Sequence, residues 1–456
     1  MVDYTELLTK QRNFFASGKT KEYSYRLHAL KALREAILFY EADINAALKS
    51  DLNKAPFETY LSEYGISLQH ITHAAQHLKK WMQPKHRATG INGFPGRSYD
   101  LYDPYGIVLI MSPWNYPIQL TMGVLAGAIA AGNCCVIKPS AYTPASSAII
   151  AKIIKRAFPE EYITTIQGGR AENQQLLEQR FDYIFFTGSV EVGKQVMEKA
   201  AKHLTPVTLE LGGKSPCIVT ADAKVKEAAK AIAFGKLLNS GQTCVAPDYV
   251  LVDERLKEQF CAEITDQFKQ MIGDALANEE FPRIVNEKHF DRILKLFDSV
   301  SVYSGGRFDR DKLKIEPTVL VDVKEDSPVM SEEIFGSLLP VIPYKTLEEA
   351  EQFVLRHEKP LALYLFTTSK HTEARVFKNL SFGGGCVNDT IMHLMSKGLG
   401  FGGVGHSGMG MYHGKHSFET FSHTKGIYKR SALFEMPLRY HPYKPLYLKV
   451  VHKLMK

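Results

Sequence analysis

Apolar residues in the first quarter of the chain recur at three- and four-residue spacing. Leu27, Leu30, Leu33, Ile37, Ile44 and Leu48 then fall on one buried helical face. A stretch rich in Pro and Gly, from Pro84 to Gly96, ends that pattern, and short apolar runs begin to alternate with helical ones. Ile107–Met111 reads as a buried strand, Thr121–Ala131 as a helix and Cys134–Ile137 as a second strand. A helix near Ser146–Arg156, a strand over Ile163–Gln167 and a polar helix reaching Arg180 follow. Tyr183–Phe186 then runs through Thr187 and Gly188 into another helix. This alternation predicts an α/β fold built from βα units in a mostly parallel, doubly wound sheet. A second α/β region begins after Val207–Leu211 and extends through the Gly-rich segment Gly383–Gly414. The last eighteen residues, Arg439 to Lys456, mix lysines with Tyr447, Val450, Val451 and Leu454 at helical spacing. They predict a basic amphipathic tail, too short to cross a bilayer, that lies on a membrane or docks on protein.

Length and composition narrow the class. At 456 residues the chain exceeds one ordinary core, so two domains or an elaborated α/β domain are expected. With 45% apolar and 23% charged residues it is a globular rather than a disordered or fibrous sequence. Its net charge of +7 is spread along the chain, without the basic face and interleaved aromatics that nucleic-acid binding requires. The mild positive balance suits an anionic cofactor or an anionic lipid surface. No basic segment followed by an apolar stretch opens the chain, so a cytoplasmic protein is expected, peripheral at a membrane if the tail binds one. The six cysteines, Cys134, Cys135, Cys217, Cys244, Cys261 and Cys386, show no CxxC pairing and no metal-ligand spacing. Reduced thiols are expected, one of which is free to be chemical.

Several positions carry candidate chemistry. Cys244 closes Asn239–Cys244, a polar, glycine-containing loop after a helical pattern over Ala228–Leu238, where exposure favours a reactive thiol over an inert one. Glu210 interrupts an apolar strand, and burial there would raise its pKa toward the range of a general base. Asn115, in Pro113-Trp114-Asn115-Tyr116-Pro117, offers an amide to a developing oxyanion or is an ordinary turn residue. Gly188-Ser189-Val190-Glu191-Val192-Gly193 lies where a strand turns into a helix, a place for a phosphate and equally one where glycine serves backbone geometry alone. The formal GxGxxG at Gly403–Gly408 follows no clear strand and is read as incidental. His413 and His416 stand three apart without a convincing third ligand, so no metal site is expected.

Together these stretches resemble the aldehyde dehydrogenase superfamily over nearly the whole chain. The resemblance is carried, in order, by Pro113-Trp114-Asn115, Lys138-Pro139-Ser140, Phe186-Thr187-Gly188-Ser189, Glu210–Lys214, Gly241-Gln242-Thr243-Cys244 and Glu332-Glu333-Ile334-Phe335-Gly336. The block from Val387 through His393 to Phe418 is similar to the class 3, fatty-aldehyde branch. The resemblance implies a Rossmann-like cofactor domain over 1–85 and 105–209 and an α/β catalytic domain over 210–413. It implies bridging or oligomerisation elements over 86–104 and 414–438, including a small β hairpin, a tail over 439–456, and a homodimer. It implies oxidation of a medium- or long-chain lipophilic aldehyde with NAD or NADP, fatty and apocarotenoid aldehydes fitting equally. Cys244 would be the nucleophile, Asn115 and the Cys244 backbone N–H the oxyanion donors, and Glu210 the base for the hydrolytic water. Lys138 and Glu333 would hold the two riboses, Phe335 and Trp114 would stand at the cofactor, and Gly188, Ser189 and Gly193 would face its pyrophosphate or adenosine end. An acylating or phosphorylating relative and a catalytically silent member are the alternatives. Two departures follow: Ala141 replaces a glutamate that would repel a 2′-phosphate, leaving NAD and NADP both open, and Ser337 replaces a proline and is expected to loosen its loop.

Overall fold

The computed structural model describes residues 4–430, 432, 433, 438 and 440–455. Arg439 and Lys456, the bounds of the expected tail, and residues 431 and 434–437 of the expected bridging segment lie outside the described residues.

Ile107–Met111 is the first strand of a six-stranded sheet and pairs in parallel with Cys134–Lys138 on one side and Tyr183–Thr187 on the other. Ile163–Thr165 and Val207–Glu210 extend the two sides, also in parallel, and Gly408–Met409 closes the Glu210 edge antiparallel. Every residue of Ile107–Met111 and Cys134–Lys138 is buried, the reason both read as continuous apolar runs and not as alternating ones. The helix Gln119–Ala131 between them is apolar all round and buried on nearly every side. It stops at Gly132, whose φ of +96° and whose close approach to the Arg26 guanidinium, 2.6 Å from where a Cβ would stand, both require glycine. Arg26 donates to the Ala130 carbonyl at 3.0 Å and so ties the helix Tyr23–Phe39 to that layer.

The second sheet has seven strands in the order Ser301–Ser304, Thr318–Val321, Leu338–Tyr344, Tyr249–Asp253, Pro216–Val219, Ala362–Phe366 and Gly384–Val387. Its first pair is antiparallel and the rest are parallel. The mixed, largely parallel α/β architecture is the expected fold class. Two details differ. The expected strand over Ile163–Gln167 ends at Thr165, because the chain turns away toward Gly168, at φ +132°. The expected hairpin is one part of a three-stranded antiparallel sheet: Lys85–Arg87 and Arg97–Pro104 are joined by Ser422–Lys429, paired from Ser422↔Pro104 to Lys429↔Arg97. Ser422–Lys429 is mostly exposed and polar, so hydrophobicity gave it no strand pattern. Beyond it, Pro445–Leu454 forms a helix with no buried residue. Among the described residues, no helix is long and apolar enough to cross a membrane.

A fully buried ion pair locks the turn that follows the first strand. Lys54 Nζ lies 2.6 Å from Glu63 Oε1, with both side chains inaccessible to solvent. The second Glu63 oxygen accepts from the N–H groups of Ile118 and Gln119, each at 3.0 Å, at the start of the Gln119–Ala131 helix. Lys54 donates further to the Asn115 carbonyl at 2.9 Å and sits 4.0 Å from the centre of the Tyr116 ring. Removing one partner leaves a charge stranded in low dielectric, whereas removing both does not. Lys54→Met is therefore expected to lower stability by about 3–5 kcal/mol. Lys54→Met combined with Glu63→Leu should recover most of that loss in urea denaturation. Equal destabilisation by the single and double variants would show that the pair's charges are not what holds this turn.

Candidate active site

The parallel strands of the first sheet deliver several of the expected site residues from their carboxyl ends, where open α/β sheets place ligands. Trp114 and Asn115 follow Met111, Lys138 ends its own strand, Gly188 and Ser189 follow Thr187, and Glu210 ends Val207–Glu210. The order of the paired strands sets these residues side by side, although the sequence spreads them over 114–210.

Cys244 arrives from the other direction. The helix Val225–Leu237 breaks into Asn239, Ser240 and Gly241, three successive residues at φ of 52°, 56° and 75°. Such a left-handed run is costly outside glycine and asparagine and persists only when its surroundings fix it. Glu58 Oε1 accepts from the Asn239 N–H at 2.8 Å, and a Cβ on Gly241 would stand 2.2 Å from the Gly336 carbonyl oxygen. Gln242 is bound at both ends of its amide, to the Asn239 and Arg283 carbonyls and the Val285 N–H, each at 3.0 Å. Asn115 Nδ2 donates to the Gln242 carbonyl at 3.0 Å, which uses one of its two amide hydrogens and brings it to the Cys244 loop. Tyr116 O–H and Thr243 Oγ1, 2.6 Å apart, fix the same junction.

The expectation of an exposed, activated thiol needs correction. Cys244 is half-buried, and burial, then Glu333 and then Glu210, push its pKa up. No cation among the causes offsets this, so the thiol form is favoured in the protein as it stands. Glu210 is 2% exposed, and neither carboxyl oxygen has a hydrogen-bond partner among the described residues. Burial alone raises its pKa well above the usual carboxylate range. Tyr412, buried and raised chiefly by burial, also feels Glu210 and Cys244. Glu333 is pushed up to about 8, by burial first and then by Asp248. Its carboxyl occupies the space over Gly212, where a Cβ would lie 2.0 Å from Glu333 Oε2.

The loop carrying Glu333 is held by Lys214, which donates to Asp248 Oδ2 and to the carbonyls of Val329 and Glu332 at 2.8 and 2.9 Å. Asp248 Oδ1 accepts from the Ile334 N–H at 3.0 Å. Phe335, at φ 49°, meets Trp114 edge-on with ring centres 5.2 Å apart. Ser337 does not loosen the loop, contrary to the sequence expectation. It is fully buried, and its hydroxyl donates to the Ile315 carbonyl at 2.9 Å, replacing the rigidity of a proline with a hydrogen bond.

The remaining expected positions fit the nicotinamide dinucleotide that the resemblance implies. Lys138 is 3% exposed, donates to the Pro139 and Gly168 carbonyls at 2.9 and 2.7 Å, and is lowered to about 8 by burial. Ser189 caps the helix Val190–Ala201, its side chain accepting from Val192 N–H at 3.4 Å. Gly193 lets that helix approach Leu211, whose Cδ2 would stand 2.7 Å from a Cβ. Cation, helix N-terminus, paired aromatic rings and a carboxyl with little space above it form a donor set suited to phosphate, ring and ribose. Ala141 is exposed and leaves no side-chain carboxylate at its position.

Other motifs lie apart from this chemistry. Gly403–Gly408 opens no helix. It forms a bend that lays Gly408 against Glu210, and Leu211 N–H donates to the Ser407 carbonyl at 3.1 Å. His413 is buried against His70, ring centres 4.8 Å apart, whereas the His416 side chain is partly exposed beside Glu419. Among the described residues, no group of three or more His, Cys, Asp and Glu is placed to hold a metal. Sequence reasoning missed Lys54, Glu58, Glu63, Tyr116, Lys214, Asp248 and Tyr412. The Asn-Ser-Gly run was a usable local signal for the left-handed turn; the ion pairs left none.

Comparison with known proteins identifies the family. The model of the family described as "Aldehyde dehydrogenase family" matches residues 3–427. The 4,4'-diaponeurosporen-aldehyde dehydrogenase of Staphylococcus aureus is 46% identical over 434 residues, covering 94% of this chain and 95% of that protein. Human aldehyde dehydrogenase family 3 member B1 is 43% identical over 453 residues, covering 98% and 96%. A solved structure, the substrate-bound state of Staphylococcus aureus AldH, superposes with a TM-score of 0.97 at 44% identity, covering 100% of each chain. The chain belongs to the aldehyde dehydrogenase family, among relatives of its family 3 branch.

Proposed function

We propose that this aldehyde dehydrogenase oxidises a medium- or long-chain lipophilic aldehyde to its carboxylic acid, with NAD or NADP, through a covalent intermediate on Cys244. The observation that carries the reading is Glu210, a buried carboxyl with two unpartnered oxygens whose charge is felt at Cys244. A group so placed is costly unless it exchanges protons with something that visits the site.

Cys244 Sγ passes its proton to solvent water and bonds to the carbonyl carbon, forming a thiohemiacetal whose oxygen meets the free amide hydrogen of Asn115 and the Cys244 N–H; loss of hydride from that carbon re-forms the carbonyl as a Cys244 thioester. Bound NAD or NADP would supply the hydride acceptor and, in its oxidised form, a positive charge that favours the Cys244 thiolate. Lys138 and Glu333 would hold its riboses, Phe335 and Trp114 would stand at the cofactor, and Gly188, Ser189 and Gly193 would face the pyrophosphate or adenosine. Ionised Glu210 then takes a proton from the water that attacks the Cys244 thioester; the carbon–sulfur bond breaks and the acid leaves. The lipophilic class is supported by the name of the Staphylococcus aureus relative and by the Val387–Phe418 block. A homodimer is supported by the Ser422–Lys429 edge, a long exposed strand of the kind that proteins cover. The six free thiols suit a cytoplasmic location.

Cys244→Ala is expected to abolish turnover of decanal, and persistent turnover would assign the nucleophile elsewhere. Glu210→Gln should retain a burst of reduced cofactor while steady-state turnover falls by roughly a hundredfold or more; loss of the burst would move the base into the first step. Ala141→Glu should lower the NADP-to-NAD ratio of kcat/KM by about tenfold, equivalent to about 1.4 kcal/mol. An unchanged ratio would show that this position does not read the 2′-phosphate.

A further inference from the structure

We propose that Asn239 is a positioning residue that sets the direction of the Asn115 amide toward the carbonyl oxygen of the substrate. Its Nδ2 donates to the Asn115 carbonyl at 2.8 Å and to the Gln242 carbonyl at 3.1 Å, so one amide spans the oxyanion donor and the loop that ends in Cys244. The Gln242 carbonyl also accepts from Asn115 Nδ2 at 3.0 Å. Because an amide group is planar, tying one Nδ2 hydrogen of Asn115 to that carbonyl directs the other, and Asn239 holds the carbonyl and the Asn115 backbone at a set spacing. Asn239 is itself fully buried and held through its backbone. Its N–H donates to Glu58 Oε1 at 2.8 Å, and its carbonyl accepts from the N–H and the Nε2 of Gln242, each at 3.0 Å.

Satisfying the backbone does not explain the arrangement. The Asn115 carbonyl has a second donor in Lys54 and the Gln242 carbonyl has one in Asn115, so neither acceptor would be stranded without the Asn239 amide. Asn239 meanwhile carries two costs: a left-handed φ of 52°, and an Oδ1 that is buried with no hydrogen-bond partner among the described residues. Asparagine tolerates this backbone and supplies the donor at once. Hydrogen bonds that are redundant for their acceptors and costly for their donor are accounted for by the position they impose, which is that of Asn115. The inference rests on the proposed roles of Cys244 and Asn115 and holds whichever aldehyde is oxidised.

The test compares Asn115→Ala, Asn239→Gly and the double variant by the rate of the first burst of reduced cofactor with decanal. Glycine keeps the left-handed backbone and removes the amide. Asn115→Ala should slow the burst by roughly a hundredfold to a thousandfold, the loss of one oxyanion donor. Asn239→Gly should slow it by roughly a hundredfold, the effect of a misplacement of about 1 Å. The double variant should be no more than about threefold slower than Asn115→Ala, since the amide that Asn239 directs is already gone. Asn239→Asp keeps the size and the backbone tolerance but loses the donor, and should be slowed at least as much as Asn239→Gly. Cofactor affinity, followed by quenching of protein fluorescence, should be unchanged in Asn239→Gly and Asn239→Asp. A normal burst in either Asn239 variant, or a double variant slowed by the product of the two single losses, overturns the proposal. Loss of cofactor binding in both Asn239 variants overturns it in favour of a role in folding alone. A normal burst in Asn115→Ala overturns instead the oxyanion role on which the inference rests.

Discussion

An unpaired carboxyl in a low-dielectric interior costs free energy in its charged form, and this fold places one at the end of a sheet strand. Glu210 is held by its backbone between Thr187 on the parallel side and Gly408 on the antiparallel side, so the chain cannot swing it toward solvent. The ladder on both flanks fixes its Cα and the direction in which its side chain leaves the strand. The glycines of Gly403–Gly408, which resemble a cofactor motif, serve this confinement: a Cβ on Gly408 would lie 2.1 Å from the Leu209 carbonyl oxygen.

The same constraint shapes the electrostatics around Cys244. Glu210 and Glu333 both raise the thiol, and Asp248 raises Glu333 in turn. Lys214 is spent on Asp248 and on two carbonyls of the Glu333 loop, so its charge anchors that loop. Lys54, a second buried cation, is paired with Glu63. Lys54 and Lys214 thus fix the positions of Asn115 and of the Glu333 loop and give the thiol and the base no direct counter-charge. On the proposed reading, a cationic nicotinamide ring beside Cys244 would favour its thiolate during attack.

How far the sequence reveals this depends on the distance over which each feature is encoded. The strands Ile107–Met111 and Tyr183–Thr187 declare themselves because burial on both faces demands uninterrupted apolar residues. Cys244 and Glu210 were singled out by local chemistry, one by its polar loop and one by an acid in an apolar strand, and the ordered motifs gave them roles. Lys54 and Asn115 are separated by 61 positions, and nothing near Lys54 distinguishes a buried lysine from a solvated one. Ser337 misled for a related reason: its partner, the Ile315 carbonyl, lies 22 positions away. The three-stranded bridging sheet was legible only as a hairpin, since Ser422–Lys429 is a strand by backbone pairing and has no buried face to mark it.

The most direct test of the account is the pH dependence of acyl-enzyme hydrolysis, followed in single turnovers after the burst of reduced cofactor. Burial raises the Glu210 pKa, so the basic form grows as pH rises and hydrolysis should increase through an inflection well above the usual carboxylate value of 4.5. That inflection should disappear in Glu210→Gln. A rate that levels off at an ordinary carboxylate pKa, or the same raised inflection surviving in Glu210→Gln, would contradict the assignment of the buried carboxyl as the base.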